Sequence, residues 1–165
     1  MNENIKKKYE LLKPEIEENC IKYSLSRRLV FSVILTESSG NEWAYRYEEG
    51  YPWLVTPNQI ARKIGCSNDS MVAMQSSSWG LMQVMGANYY QLGGTGYATE
   101  MIRPSLGIEY GCKMLKKFAL KYKEPKDIYA AYNAGSVIKS SDGQYRNQLN
   151  VNHFFQNYQA CDFLE

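Results

Sequence analysis

The sequence predicts a mainly helical α+β chain, with seven or eight short helices and one small β-hairpin. Three observations carry that expectation. Apolar residues recur at three- and four-residue intervals along most of the chain, Gly, Pro and Ser punctuate it at short intervals, and β-type patterning is confined to one aromatic stretch. With 165 residues, 44% hydrophobic and 22% charged, the chain has the size of one compact domain, read as residues 1–165 with residues 1–24 as a helical extension packed on it. A chain of this length hides roughly 70% of the surface its unfolded form exposes, so it needs neither disulfides nor a structural metal to hold together.

Taken in order, Ile5, Tyr9 and Leu12 recur at helical spacing in a first helix that stops or kinks at Pro14, and a second helix continues from there to about Tyr23. Ser26 is placed to cap the next helix, residues 27 to about 38, whose Leu29, Val30, Val33 and Ile34 form one apolar face. Glu37 falls three residues after Ile34 and four after Val33, so its carboxyl continues the apolar stripe. The segment from Trp43 to Trp53 is aromatic-rich with a Glu-Gly turn and reads as a small irregular hairpin or an extended loop. Thr56-Pro57-x-Gln59 has the pattern of a capping box with Pro at the first helical position, and Gly65 closes that helix. A short helix is expected over residues 68–75, and another from Trp79 to Gly86 with Ser78 as its cap. After a loop containing Gly93, Gly94 and Gly96, Pro104 opens the longest helix, to about Lys121. Residues 127–134, ended by Gly135, and 149–158 complete the helices.

Composition removes several classes of function. The single histidine, His153, rules out a multi-histidine zinc site and leaves any His-dependent nucleophile one poor option near the chain end. Cys20, Cys66, Cys112 and Cys161 have no C-x2-C spacing and are expected to be buried thiols. No metal and no organic cofactor is called for. A net charge of +2 gives no basis for nucleic-acid binding. The first nineteen residues, MNENIKKKYELLKPEIEEN, carry charge throughout and hold no apolar h-region, so no secretory signal and no membrane insertion are expected. The glycines at 93, 94 and 96 lack the Lys-Ser/Thr of a phosphate loop, and Lys6-Lys7-Lys8 reads as a solvated helix face. Glu37 remains. A carboxyl on the apolar side of a helix is held protonated by desolvation, which suits it to act as a general acid at neutral pH. Trp43, Tyr45, Tyr47, Tyr51 and Trp53 follow it and offer flat faces on which sugar rings stack.

Three segments resemble the successive motifs of the soluble lytic transglycosylase catalytic domain, which belongs with goose-type lysozymes. They are Ile34-Leu-Thr-Glu37-Ser38-Ser-Gly-Asn41, then Ser78-Trp-Gly80-Leu81-Met82-Gln83-Val84-Met85, then Ala130-Ala-Tyr132-Asn133-Ala134-Gly135, and they stand in the family's order over about residues 20–158. The stretch from Trp43 to Tyr51 is similar to one that follows the catalytic helix in phage-type members. The resemblance implies a lysozyme-like fold, with the helices around a glycan cleft and bacterial peptidoglycan strands as substrate. Glu37 would then be the single catalytic acid/base, with Ser38 beside it. Gln83 and Met82 would line the cleft, Met82 being equally well placed as core packing. Tyr132 would hydrogen-bond the catalytic carboxyl or the substrate's N-acetyl region, and Asn133 would contact substrate or brace the cleft.

The chain departs from the family pattern in three places. Ser77-Ser78-Trp79 replaces a Gly-Ala-x triplet, Gly107 stands where an Asn is usual, and Asn150-Val151 stands where a Tyr-Val pair is common, with Tyr145 or Tyr158 as substitutes for that tyrosine. Glu48 and Tyr47 are further candidate substrate-binding residues, and a hydrolytic muramidase is the alternative within enzymes, with Glu48 or Glu49 as a second carboxylate. An inactive glycan-binding or virion structural domain is the alternative outside them. The expected setting is a monomer made in the cytoplasm that reaches the wall or periplasm after release, as a phage endolysin, or as part of a virion or secretion apparatus.

Overall fold

In chain order the helices are α1 Glu3–Tyr23, α2 Arg27–Ser38, α3 Pro57–Ile64, α4 Asn68–Gln75, α5 Gly86–Gln91, α6 Pro104–Ala119, α7 Pro125–Ala134 and α8 Gln148–Ala160. Three short strands, β1 Tyr45–Tyr47, β2 Ser77–Trp79 and β3 Val84–Met85, form a small sheet, and 3-10 turns occupy Ala98–Ile102 and Asp162–Leu164. The structure is a computed structural model and describes residues 3–164. The mainly helical α+β class expected from the sequence is the class observed. The chain forms two compact units, one from its start to Gly40 together with Cys112 onward, the other from Asn41 to Gly111.

The first unit is organised on α2. Ser26 Oγ accepts from the Leu29 N–H at 3.0 Å to start it, and Ser39, in the left-handed region at φ 55°, returns its N–H to the Leu35 carbonyl to end it. Every residue from Leu29 to Leu35 is buried, because α8 covers one flank and α1 another. The aromatic rings lock these helices together: Tyr9 of α1 meets Phe31 of α2 edge-on at 5.3 Å, and Tyr129 of α7 stacks on Phe154 of α8 at 4.5 Å with only 6° between planes. Fully burying side chains of this size contributes about 1.5–3 kcal/mol each before the entropy of ordering them is subtracted.

Helix α1 corrects one expectation. It runs unbroken through Pro14, where a stop or kink was predicted. Tyr9, Leu12, Ile16 and Cys20 form a single buried stripe on both sides of the proline, which itself faces solvent. Burying that stripe outweighs the roughly 3 kcal/mol that an interior proline costs a helix. The unit also contains a turn of chain the sequence did not announce, a tight hairpin over residues 138–146, bridged at Lys139 and Tyr145.

In the second unit the strands run antiparallel in the order β1-β2-β3, with Tyr45 opposite Trp79 and Tyr47 opposite Ser77, then Ser78 opposite Met85. The hairpin is therefore β2–β3, and the aromatic segment supplies only the edge strand β1, paired to chain some thirty residues later. The helix expected from Trp79 to Gly86, with Ser78 as its cap, does not form. Gly80 at φ 71° and Gln83 at φ 47° turn the backbone left-handed, and the helix starts only at Gly86. A Cβ on Gly80 would lie 2.1 Å from the Met101 carbonyl oxygen, so no other residue fits there. Thr56, expected to cap α3 through its side chain, makes no such bond, whereas Ser67 does cap α4 by accepting from the Ser70 N–H at 3.0 Å.

Candidate active site

Glu37 sits on the last turn of α2 and is half-buried, as its place on the apolar stripe required. Its Oε1 accepts a hydrogen bond from the Tyr129 hydroxyl at 2.8 Å. Tyr132, one turn further along α7, is buried near the same carboxyl. Burial first, then the charge of Glu37, hold its phenol well above the ordinary tyrosine range, so it stays neutral. The end of α2 is fixed by three further bonds. Ser38 Oγ donates to the Ile34 carbonyl at 3.1 Å and accepts from the Gly40 N–H at 3.2 Å, and Lys8 Nζ of α1 donates to the Ser39 carbonyl at 2.6 Å. Ser38 thus shapes the backbone turn beside the carboxyl. One residue before the carboxyl, Thr36 Oγ1 accepts from Asn157 of α8 at 3.0 Å.

Asn133 stands one turn after Tyr129 on α7. Its Oδ1 accepts from both Asn147 and Asn150, each at 2.9 Å, and Asn147 also donates to the Ala130 carbonyl at 3.3 Å. Of the two roles anticipated for Asn133, bracing is the one these bonds describe. Gly135, left-handed at φ 79°, ends α7 directly after it. Tyr145 donates to Asp127 Oδ1 at 2.6 Å, at the first turn of α7, and Tyr158 lies beneath the Arg28 guanidinium at 4.2 Å. Both are therefore engaged away from the last turn of α2.

The remaining sequence-predicted residues belong to the second unit. Gln83 is fully committed there: its Nε2 donates to the Ala44 and Gly80 carbonyls at 2.9 and 3.0 Å, and its Oε1 accepts from Ser78 Oγ at 2.7 Å. Met82 is completely buried, its side chain lying against Gly111, where an added Cβ would come within 2.3 Å of the sulfur. Met82 is thus packed in the core of this unit. Tyr47 is exposed on β1, and Trp43, Tyr45 and Trp53 are also exposed, with the Tyr45 ring against Trp79 at 4.8 Å. Glu48 is ion-paired with Arg46 at 2.6 Å and holds the Ser76 carbonyl through its own N–H, while Glu49 sits in the exposed turn that follows.

Tyr129 is the site residue that sequence reasoning missed. The signal was present in its spacing, three residues before Tyr132, which places both rings on one face of α7. Nothing local identified the carboxyl as their partner, since Glu37 lies 92 residues away in the chain.

The geometry can be set beside known proteins. The family described as "Transglycosylase SLT domain" matches residues 14–155. Among curated proteins, Protein IpgF of Shigella flexneri is 30% identical over 104 residues, which cover 56% of this chain and 68% of that one. Protein IpgF of Shigella sonnei is 29% identical over 85 residues, covering 46% of this chain and 56% of that one. No solved structure matches.

Proposed function

Since the chain belongs to the transglycosylase SLT domain family, we propose that it is a lytic transglycosylase that cleaves the β-1,4 bond between N-acetylmuramic acid and N-acetylglucosamine in peptidoglycan, using Glu37 as its single acid/base. The observation that carries this reading is the half-buried carboxyl at the end of α2 with the Tyr129 hydroxyl on Oε1 at 2.8 Å. Glu37 gives its proton to the glycosidic oxygen while the muramoyl N-acetyl oxygen attacks C1. The carboxylate then takes the proton of the C6 hydroxyl of the same sugar as that oxygen bonds to C1, displacing the N-acetyl oxygen and closing a 1,6-anhydro ring without water. One carboxyl serves both steps, as acid and then as base. A hydrolytic muramidase would need a second carboxylate to direct water. The engagement of Glu48 by Arg46 supports the one-carboxyl reading.

Digestion of purified sacculi followed by mass spectrometry tests the reaction. Anhydro-muramoyl ends are expected, and ordinary reducing ends would reject it. Glu37→Gln is expected to lower turnover by about 10²–10⁴-fold, the usual contribution of a general acid, and undiminished activity would remove the assignment. In this reading Ser38 and Tyr132 organise the carboxyl, Asn133 braces the helix behind it, and exposed Tyr47 and its aromatic neighbours offer stacking faces to the glycan.

No helix among the described residues is long and apolar enough to cross a membrane. We place the protein as a phage endolysin or virion-associated lysin, on the phage-like segment from Trp43 to Tyr51. Expression in a bacterial cytoplasm is then expected to lyse cells only when a holin is co-expressed; lysis without one would reject the endolysin role.

A further inference from the structure

We propose that Tyr129 is a positioning residue for the acid/base carboxyl: its hydroxyl holds Oε1 of Glu37 as an acceptor and so fixes the orientation in which the carboxyl delivers its proton. The inference rests on the reading of Glu37 as the catalytic acid/base. Its geometry is the 2.8 Å contact from Tyr129 Oη to Glu37 Oε1. A phenol is a far weaker acid than a carboxyl, so the proton of that contact stays on the phenol and the carboxyl accepts.

A hydrogen bond positions its partner only if the donor is itself immobile. Tyr129 is 1% exposed, its ring is stacked face to face on the fully buried Phe154, and its helix is closed at its end by Gly135. The donor is thus fixed by packing from α8 while the acceptor is fixed on α2, whose end is tied by Lys8 and Asn157. Holding a reacting group in one geometry removes orientational freedom that the transition state would otherwise have to lose. The same bond strengthens when the carboxyl becomes a carboxylate after the first proton transfer, which stabilises the intermediate stage of a reaction that must use both forms. No proton passes through Tyr129.

Titratable and polar groups of the neighbouring helices lie around this end of α2. From α7 come the Tyr129 hydroxyl, on the carboxyl itself, and the Tyr132 phenol, which in turn lies near the Cys112 thiol of α6 that burial pushes up. From α1 comes the Lys8 ammonium on the Ser39 carbonyl, and from α8 the uncharged Asn157 on Thr36.

Tyr129→Phe removes the hydroxyl and keeps the ring that stacks on Phe154. With soluble glycan strands as substrate it is expected to lower kcat roughly tenfold with KM changed by less than about twofold. The alkaline limb of the rate profile, where the acid loses its proton, is expected to move up by about half a pH unit, because the bond removed favoured the carboxylate. Replacing Tyr129 with 3-fluorotyrosine keeps the shape and strengthens the donor, and is expected to move that limb the opposite way. A merely structural tyrosine would lower the melting temperature in both variants and leave the limb in place. Glu37→Gln is measured alongside. If it remains active, the reading of the site fails; if it is inactive while Tyr129→Phe keeps both its kcat and its pH limb, the positioning role alone is overturned.

Discussion

At Gln83 three hydrogen bonds converge on one side chain, with Ser78 in β2 and with the carbonyls of Ala44 and Gly80 that flank the strands. The residue also has a left-handed backbone, at φ 47°, which the three bonds over-determine. A side chain used in this way is expected to matter for stability. Gln83→Ala removes three hydrogen bonds, while the Ala44 and Gly80 carbonyls keep backbone donors and the Ser78 hydroxyl keeps the Arg46 carbonyl, and should lower unfolding free energy by about 1–3 kcal/mol in a urea titration. An unchanged midpoint would show that the bonds are replaced by water. Met82 follows the same logic with apolar contacts: with no exposed surface, it is expected to cost about 2–5 kcal/mol when changed to Ala. Both residues stand in the motif that made the family legible, and the structure uses both to build the sheet. Tyr129 is the converse case, a residue outside the quoted motifs whose hydroxyl reaches the carboxyl.

Among the elements, α1 and α7 show how packing overrules local signals. In α1 the interior Pro14 removes one backbone bond and crowds the preceding turn, yet the helix persists because its buried stripe crosses the proline. Pro14→Ala is therefore expected to raise stability by about 1–2 kcal/mol, the gain in helix geometry being partly offset by a freer unfolded chain, and a lowered melting temperature would refute it. In α7 the first turn is clamped to the hairpin after it. Burial alone would raise the Asp127 carboxyl, but the Tyr145 hydroxyl at 2.6 Å and the Lys139 ammonium at 2.9 Å outweigh it, and its pKa lies below the ordinary value. A carboxyl depressed on folding stabilises the protein above its unfolded pKa, near 3.9, and that contribution is lost as pH falls through the folded value. Tyr145→Phe should cost about 1 kcal/mol at neutral pH and progressively less in acid, read from unfolding titrations at several pH values. An equal cost at all pH values would mean that the bond is not the source.

For the molecule as a whole, the cysteines report on packing. All four are free thiols, with Cys20, Cys112 and Cys161 buried and Cys66 half-buried. Burial pushes Cys20 up to about 11 and raises Cys112 and Cys161 as well. A thiol reagent at neutral pH is expected to modify Cys66 quickly and the other three only on unfolding, with reductant leaving the melting temperature unchanged. Fast labelling of all four would contradict the packing described. By itself the sequence determined the class of the fold, the course of α2, α4, α6, α7 and α8, the family, and the place of Glu37 on an apolar stripe. The helices and the place of Glu37 rest on spacing within one segment, where helix period and capping chemistry act over a few residues, and the family rests on three motifs in order along the chain. Only the tertiary structure decided that α1 continues through Pro14, that β1 pairs with chain thirty residues on, that Gln83 ties a turn instead of standing free, and that Tyr129 reaches Glu37. Those outcomes depend on contacts between residues far apart in the chain, whose free energy exceeds the local preferences and whose partners no local spacing names.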